Sequence, residues 1–226
     1  MKKLTIAILM LLTSFSIVSA EIGVRIGGSV EVGEFTTSGF ENENGEVSET
    51  KTEKGFVGLG SYFIEGQLGF LPGPLKRISI GYSTVPHKLS TGTSSRNSTD
   101  LGAEAAVSVT PPVDNSISAE ISDYNTVYAT VDITDWLFVK YGTLDMDVKT
   151  TEDLDTGSAY GNFTTSGTVW GVGLHHQTDS GFFGRVEWND TEIDGKLLTS
   201  TTNADNTVTL KEMTGTTAKV SFGKAF

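Results

Sequence analysis

The feature that most constrains this chain is an alternation of oily and polar residues with period two, running through nearly all of it after the first twenty positions. Successive side chains of a β-strand point to opposite faces, so each such stretch reads as a strand with one apolar and one polar face. In the first segment Ile22, Val24, Ile26, Val30 and Val32 share one parity, and Arg25, Ser29 and Glu31 share the other. Seven further segments read the same way, at 54–70, 75–88, 118–134, 136–149, 164–178, 181–195 and 207–226. Helical periodicity is nearly absent.

A soluble β-sandwich also alternates, with its oily face turned inward. Other features favour a closed membrane barrel. The connections run long, short, long, short, long, short, long. The short ones are Leu71-Pro72-Gly73-Pro74, the Thr134-Asp135 corner and Thr178-Asp179-Ser180-Gly181; the long ones lie near 38–53, 89–117, 150–163 and 196–206. Outer-membrane barrels have short periplasmic turns and long outer loops, which produces this rhythm. Most segments also exceed the usual length of strands in soluble sheets. Aromatics on the oily parity fall into two groups. Phe70, Phe182 and Phe226 sit beside the short turns or the C-terminus, and Tyr62, Tyr82, Trp170 and Trp188 sit farther up their strands. Two girdles flanking a greasy band would be spaced this way. The expected fold is all-β: an eight-stranded antiparallel up-and-down transmembrane β-barrel.

The N-terminus supplies a matching address. Lys2 and Lys3 precede an apolar run from Leu4 to Val18, and Val18-Ser19-Ala20 carries the small residues of a cleavage site. Residues 1–20 therefore read as a signal peptide and 21–226 as the outer-membrane barrel domain. No later stretch is apolar and long enough for a transmembrane helix. The expected location is the outer membrane of a Gram-negative bacterium. Removing the signal takes two lysines from the 16 basic residues, so the net charge moves from −12 to 14 − 28 = −14. That acidity argues against a nucleic-acid partner, and the absence of cysteine excludes a disulfide scaffold or a cysteine-based metal site.

The polar parity points into the barrel. It carries Arg25, Arg77, Lys140, Arg185 and Lys219 against Glu31, Glu65, Asp132 and Glu187. Eight strands leave just enough room for side chains, so near-balanced charge predicts a lumen plugged by ion pairs. Glu187 is expected to find its cation in Lys219, with His175 or Gln177 alongside.

Several stretches resemble a known family. Gly167-Thr168-Val169-Trp170-Gly171-Val172-Gly173-Leu174 followed by Gly184-Arg185-Val186-Glu187-Trp188, together with Trp136-Leu137-Phe138-Val139-Lys140-Tyr141-Gly142 and a final strand ending in Phe226, is similar to small outer-membrane barrels of the OmpA/OmpX/opacity-protein type. The resemblance implies a membrane anchor, an adhesin or a resistance factor. It also implies that Phe226 is read by the barrel-assembly machinery. Lys224 departs from the pattern, since an oily residue is usual there.

Enzyme chemistry finds little purchase. His175 and His176 are adjacent on a strand, face opposite ways and cannot chelate one metal together. His176 lies near the turn side, the wrong end for a surface lipid hydrolase. No cofactor, metal site or catalytic residue is expected. Function is expected in the acidic outer loops, rich in Glu41, Glu43, Glu46, Glu49, Glu53, Asp147, Glu152, Asp153, Asp155, Asp190, Glu192, Asp194 and Asp205. The expected partners are outer-membrane lipid and lipopolysaccharide, with a possible surface ligand at those loops. The leading reading is a structural or surface-interaction barrel; the alternatives are a small channel or carrier for apolar molecules and, behind it, a lipid-modifying enzyme.

Overall fold

A computed structural model describes residues 23–43, 45–48, 50–91, 94–98, 113–153 and 158–226. The expected signal peptide at 1–20, Ile22, Glu49 and Asp155 lie outside the described residues.

Eight long antiparallel strands form a closed ring: β1 (Val24–Glu43), β2 (Lys51–Gln67), β3 (Ile78–Thr84), β4 (Val113–Asp132), β5 (Leu137–Asp153), β6 (Phe163–Gln177), β7 (Phe182–Ile193) and β8 (Met213–Ala225). Each pairs with the next in sequence, and β8 returns to pair with β1 over Arg25–Thr36. The register fixes the geometry. Arg25 faces Glu65, and the partners then run through Gly81, Tyr128, Gly142, Val169, Thr191 and Gly215 to Phe35. One circuit therefore advances 35 − 25 = 10 residues along β1. A shear of that size in eight strands sets a tilt of about 40° and a backbone radius of about 8 Å.

Within the belt the expected parity holds in all eight strands, and it is inside out relative to a soluble protein. Ile26, Val30, Ile80, Val139, Val172, Val186, Val220 and Phe222 are exposed, while Arg25, Glu65, Lys140, Arg185 and Glu187 are buried. Only a hydrocarbon surround makes that arrangement stable. The outward apolar belt is short. On β7 it runs from Phe182 to Trp188 and gives way to Asp190; on β5 it runs from Leu137 to Tyr141 and gives way to Thr143. Six residues at about 2.5 Å of axial rise make the belt about 15 Å between girdle Cα positions.

Above the belt the strands continue. Among the described residues, the segments expected as long loops contain paired sheet. Glu46–Val47 pairs with the end of β1, Leu89–Ser90 and Ser94–Ser98 pair with β4, and a hairpin of Lys196–Thr199 and Thr207–Leu210 pairs through its second strand with Gly39–Asn42 of β1. Two irregularities mark where barrel becomes extension. Asp123, at φ 53°, forms a bulge in β4 between Ser122 and Asn125, and switches the parity above it. The β2–β3 ladder ends at Tyr62–Thr84, two residues before Pro86, which cannot donate to a ladder.

Candidate functional site

The lumen is filled by layers of ion pairs. At the periplasmic mouth His175 lies 3.9 Å from Asp132, and its Nε2 is 3.0 Å from the Asp135 carbonyl. Next comes Glu65, almost wholly buried. Its carboxylate accepts two hydrogen bonds from the Arg185 guanidinium and one, at 2.8 Å, from the Tyr128 hydroxyl, with Arg25 3.9 Å away. The Arg185 guanidinium carbon stands 5.1, 5.3 and 5.7 Å from the ring centres of Phe183, Phe138 and Phe63. An aromatic box therefore holds the cation while the bidentate carboxylate neutralises it. One layer up, Lys140 donates to Glu187 at 2.5 Å and lies 5.8 Å from the Tyr128 ring centre. Above that, Lys219 is 3.7 Å from Glu31, which also accepts from the Thr217 hydroxyl. The outer end holds a buried apolar cluster of Leu144, Met146 and Ile193, packed against Phe35, Ile121, Tyr124, Val148 and Met213.

Two expectations change. Arg77 is not in the lumen. Pro72 and Pro74 lead into a short 3-10 turn, Gly73–Arg77, so the strand begins only at Ile78 and parity does not carry Arg77 inward. Its side chain is 43% exposed at the rim, where it donates to the Ile133 carbonyl at 2.8 Å. The partner of Glu187 is Lys140, two strands away over Gly171 and Gly173 of β6, rather than Lys219 beside it in register; Gly173 faces Glu187, while His175 and Gln177 stand opposite Arg185 and Phe183. The other lumen residues named from the sequence (Arg25, Glu31, Glu65, Asp132, Lys140, Arg185, Glu187 and Lys219) all join these layers. Tyr62, Phe70, Trp170, Phe182, Trp188 and Phe226 are exposed on the outer face, joined by Trp136 and Tyr141. Tyr82 donates to Asn125 at 2.7 Å. Lys224 lies 5.4 and 5.2 Å from the ring centres of Phe182 and Phe226, which accounts for a cation at that girdle.

Sequence reasoning missed the inward aromatics. Phe63, Tyr128, Phe138, Phe183 and Phe35 each stand directly opposite a glycine on the neighbouring strand: Gly27, Gly81, Gly173, Gly223 and Gly215. A Cβ on any of these glycines would fall 2.3–2.8 Å from the facing ring. The glycines make the room that lets rings lie in so narrow a barrel. The signal was present as glycines and aromatics on the inward parity, and became legible only with the register.

The second candidate surface is the outer extension. Three hairpins are knitted together. The Tyr160 hydroxyl donates to Glu41 at 2.6 Å, the Thr201 amide to the Ala159 carbonyl at 2.7 Å, and the Asn206 side chain to Ser158 at 2.7 Å. Burial and the neighbouring Glu41 push the Tyr160 phenol well above its ordinary range, so it remains a donor. Acidic side chains dominate this extension: Glu41, Glu43, Glu46 and Glu53 on the first hairpin, Asp147, Glu152 and Asp153 on the third, and Asp194, Asp205 and Glu212 on the fourth. Among the described residues no group of three His, Asp or Glu side chains is arranged to hold a metal ion.

No protein-family model matches the chain, and no curated protein matches it. Among solved structures it is similar to the attachment invasion locus protein Ail of Yersinia pestis in complex with the heparin analogue sucrose octasulfate, at 12% identity over 88% of this chain and 99% of that one, TM-score 0.32. It is also similar to Neisserial surface protein A, at 8% identity over 87% and 97%, TM-score 0.35. The third is the outer-membrane protease OmpT of Escherichia coli, at 9% identity over 92% and 98%, TM-score 0.40.

Proposed function

We propose that this eight-stranded outer-membrane barrel is a non-enzymatic surface-interaction protein that binds through its knitted, acidic outer extension. The observation that carries the reading is the division of labour along the axis. The lumen is stacked with paired charges and, toward its outer end, with the buried cluster of Leu144, Met146 and Ile193, which leaves the outer hairpins as the part able to meet a partner. Three of those hairpins are tied to one another by Tyr160, Thr201 and Asn206, so the surface is pre-organised, which lowers the ordering cost of binding. Its excess of carboxylates favours a cationic ligand or a cation-bridged one such as lipopolysaccharide. Phe226 would guide assembly into the membrane.

The test is binding to a cationic surface. Purified barrel in nanodiscs should associate with a polylysine-coated sensor at a rate that falls steeply with added salt. Replacing Glu41, Glu43 and Glu46 with glutamine should slow association and leave the gel mobility of the folded barrel unchanged. Salt-independent association would count against the reading. Steady ion conductance by the same protein in planar bilayers would replace it with the channel reading, and lipid turnover would replace it with the enzyme reading.

A further inference from the structure

Above the apolar belt, β1, β2 and the hairpin strand Thr207–Leu210 form a groove of about 460 Å³. Thr37, Gly39 and Glu41 of β1 line it and continue the inward parity of Phe35. Its centre is Gly39, which pairs with Lys51 on one side and Leu210 on the other. The glycine leaves a dip between those two side chains. Leu210 leans over the dip, since a Cβ at Gly39 would stand 3.6 Å from its Cδ2. Val208, paired with Glu41, extends the apolar floor outward, and Glu53, paired with Thr37, stands on the other side of the dip. Glu41 and Glu53 thus bracket the floor from positions four residues apart along β1, about 13 Å. Among the described residues neither Lys51 nor Glu53 has an ion-pair partner, whereas Lys54 and Glu34 on the outward parity pair at 2.9 Å. Glu41 is held by the Tyr160 hydroxyl at one oxygen, Oε1.

We infer that this groove docks a basic amphipathic peptide: one apolar side chain seated over Gly39 against Val208 and Leu210, with a cationic side chain on either side reaching Glu41 and Glu53. Such docking rests on the reading of the outer extension as a cation-binding surface, and it specifies what the cation is attached to. The groove stands above the belt, in water, so covering its floor with an apolar side chain is favourable. Its volume is that of a small-ligand site and suits a short segment. Two carboxylates against one ammonium favour a cationic partner over an anionic one. In an extended peptide the side chains at i, i+2 and i+4 share one face, and positions i and i+4 lie about 13 Å apart, the spacing of the two carboxylates along β1. The Lys51 ammonium, beside the dip, is a donor for a peptide carbonyl.

Two peptides of equal charge, acetylated and amidated, test it on the barrel in nanodiscs, where no detergent competes for the groove: Lys-Ser-Phe-Ser-Lys and Lys-Ser-Ser-Ser-Lys. The phenylalanine peptide should bind about tenfold more tightly, the gain from burying one aromatic side chain. Leu210→Ser should erase that difference, and Glu53→Gln should weaken both peptides while keeping their ratio. Equal affinities in the wild-type protein would overturn the inference, and that comparison stands even if neither variant folds. If polylysine still associates in a salt-dependent way, the cation-binding reading survives that result; if it does not, both fall. A ratio that persists in folded Leu210→Ser would move the apolar contact elsewhere and sink the groove. Binding of Gln-Ser-Phe-Ser-Gln as tight as that of Lys-Ser-Phe-Ser-Lys would sink the cationic requirement, and the inference with it.

Discussion

Glu65 is the residue on which the inner lumen depends. Its carboxylate, almost wholly buried, faces two guanidinium groups and a phenol, so each partner is tolerable only because the others are present. Glu65→Gln leaves the shape and removes the charge, stranding Arg185 in its aromatic box and Arg25 beside it. The expected cost is about 3–5 kcal/mol, measured as a lowered urea midpoint for unfolding in detergent micelles. Arg77→Ala should change the same midpoint by no more than about 0.5 kcal/mol, because Arg77 sits half-exposed on the rim. A large loss at Arg77 would return it to the lumen. The contrast shows why parity alone is an incomplete guide. It places a side chain only where the backbone is extended, and two prolines end the extended backbone just before Arg77.

The strand faces make separate demands. Inward, the aromatic-to-glycine pairing leaves no slack. A methyl group at Gly173 would stand 2.5 Å from the Phe138 ring. Gly173→Ala should therefore cost about 1–3 kcal/mol by overpacking, and the added change Phe138→Leu should recover part of the loss. The control is Gly58→Ala, which meets nothing within 4 Å and should be close to neutral. If both alanines cost the same, the ring does not lie over Gly173. Outward, the demand is depth-dependent. Val220 is 54% exposed within the apolar belt, and Val220→Arg should cost about 2–4 kcal/mol when folding is followed in lipid vesicles. Leu197 is 64% exposed on the outer hairpin, and Leu197→Arg should cost almost nothing there. The two residues have similar exposure and differ in the solvent beside them, so equal costs would mean that the belt is misplaced.

At the scale of the whole molecule the belt is thinner than the usual hydrocarbon height of such barrels. Matching it to a thick bilayer would bury Asp190 and Thr143 in hydrocarbon or thin the lipid locally, at a cost that grows with the mismatch. The wild-type chain should therefore fold in higher yield into vesicles of short-chain than of long-chain phosphatidylcholine, scored by the faster-migrating unheated form on a gel. Indifference to chain length would indicate that the true lipid boundary reaches above Trp170 and Trp188.

The sequence by itself determined the strand count, the alternation of faces, the up-and-down order and the side on which the charges lie. Those properties follow from the period of two and the lengths of the connections, and both are local. It could not determine who pairs with whom. Glu187 lies on the same inward parity as Lys219, His175 and Lys140, and choosing Lys140 requires knowing that side chains from β5 and β7 meet over the glycines of β6. That meeting follows from the registers of β5 and β7 on β6, which set Lys140 beside Gly171 and Glu187 beside Gly173. The registers between neighbouring strands likewise set Phe138 against Gly173 and Phe63 against Gly27, and turned scattered inward glycines into sockets for rings. The outer loops were legible as acidic and long. That they form paired hairpins tied through Tyr160 to Glu41, 119 residues apart in the chain, was decided by tertiary structure. Contacts of that separation leave no periodic trace in a sequence, because each residue type alone is compatible with many partners.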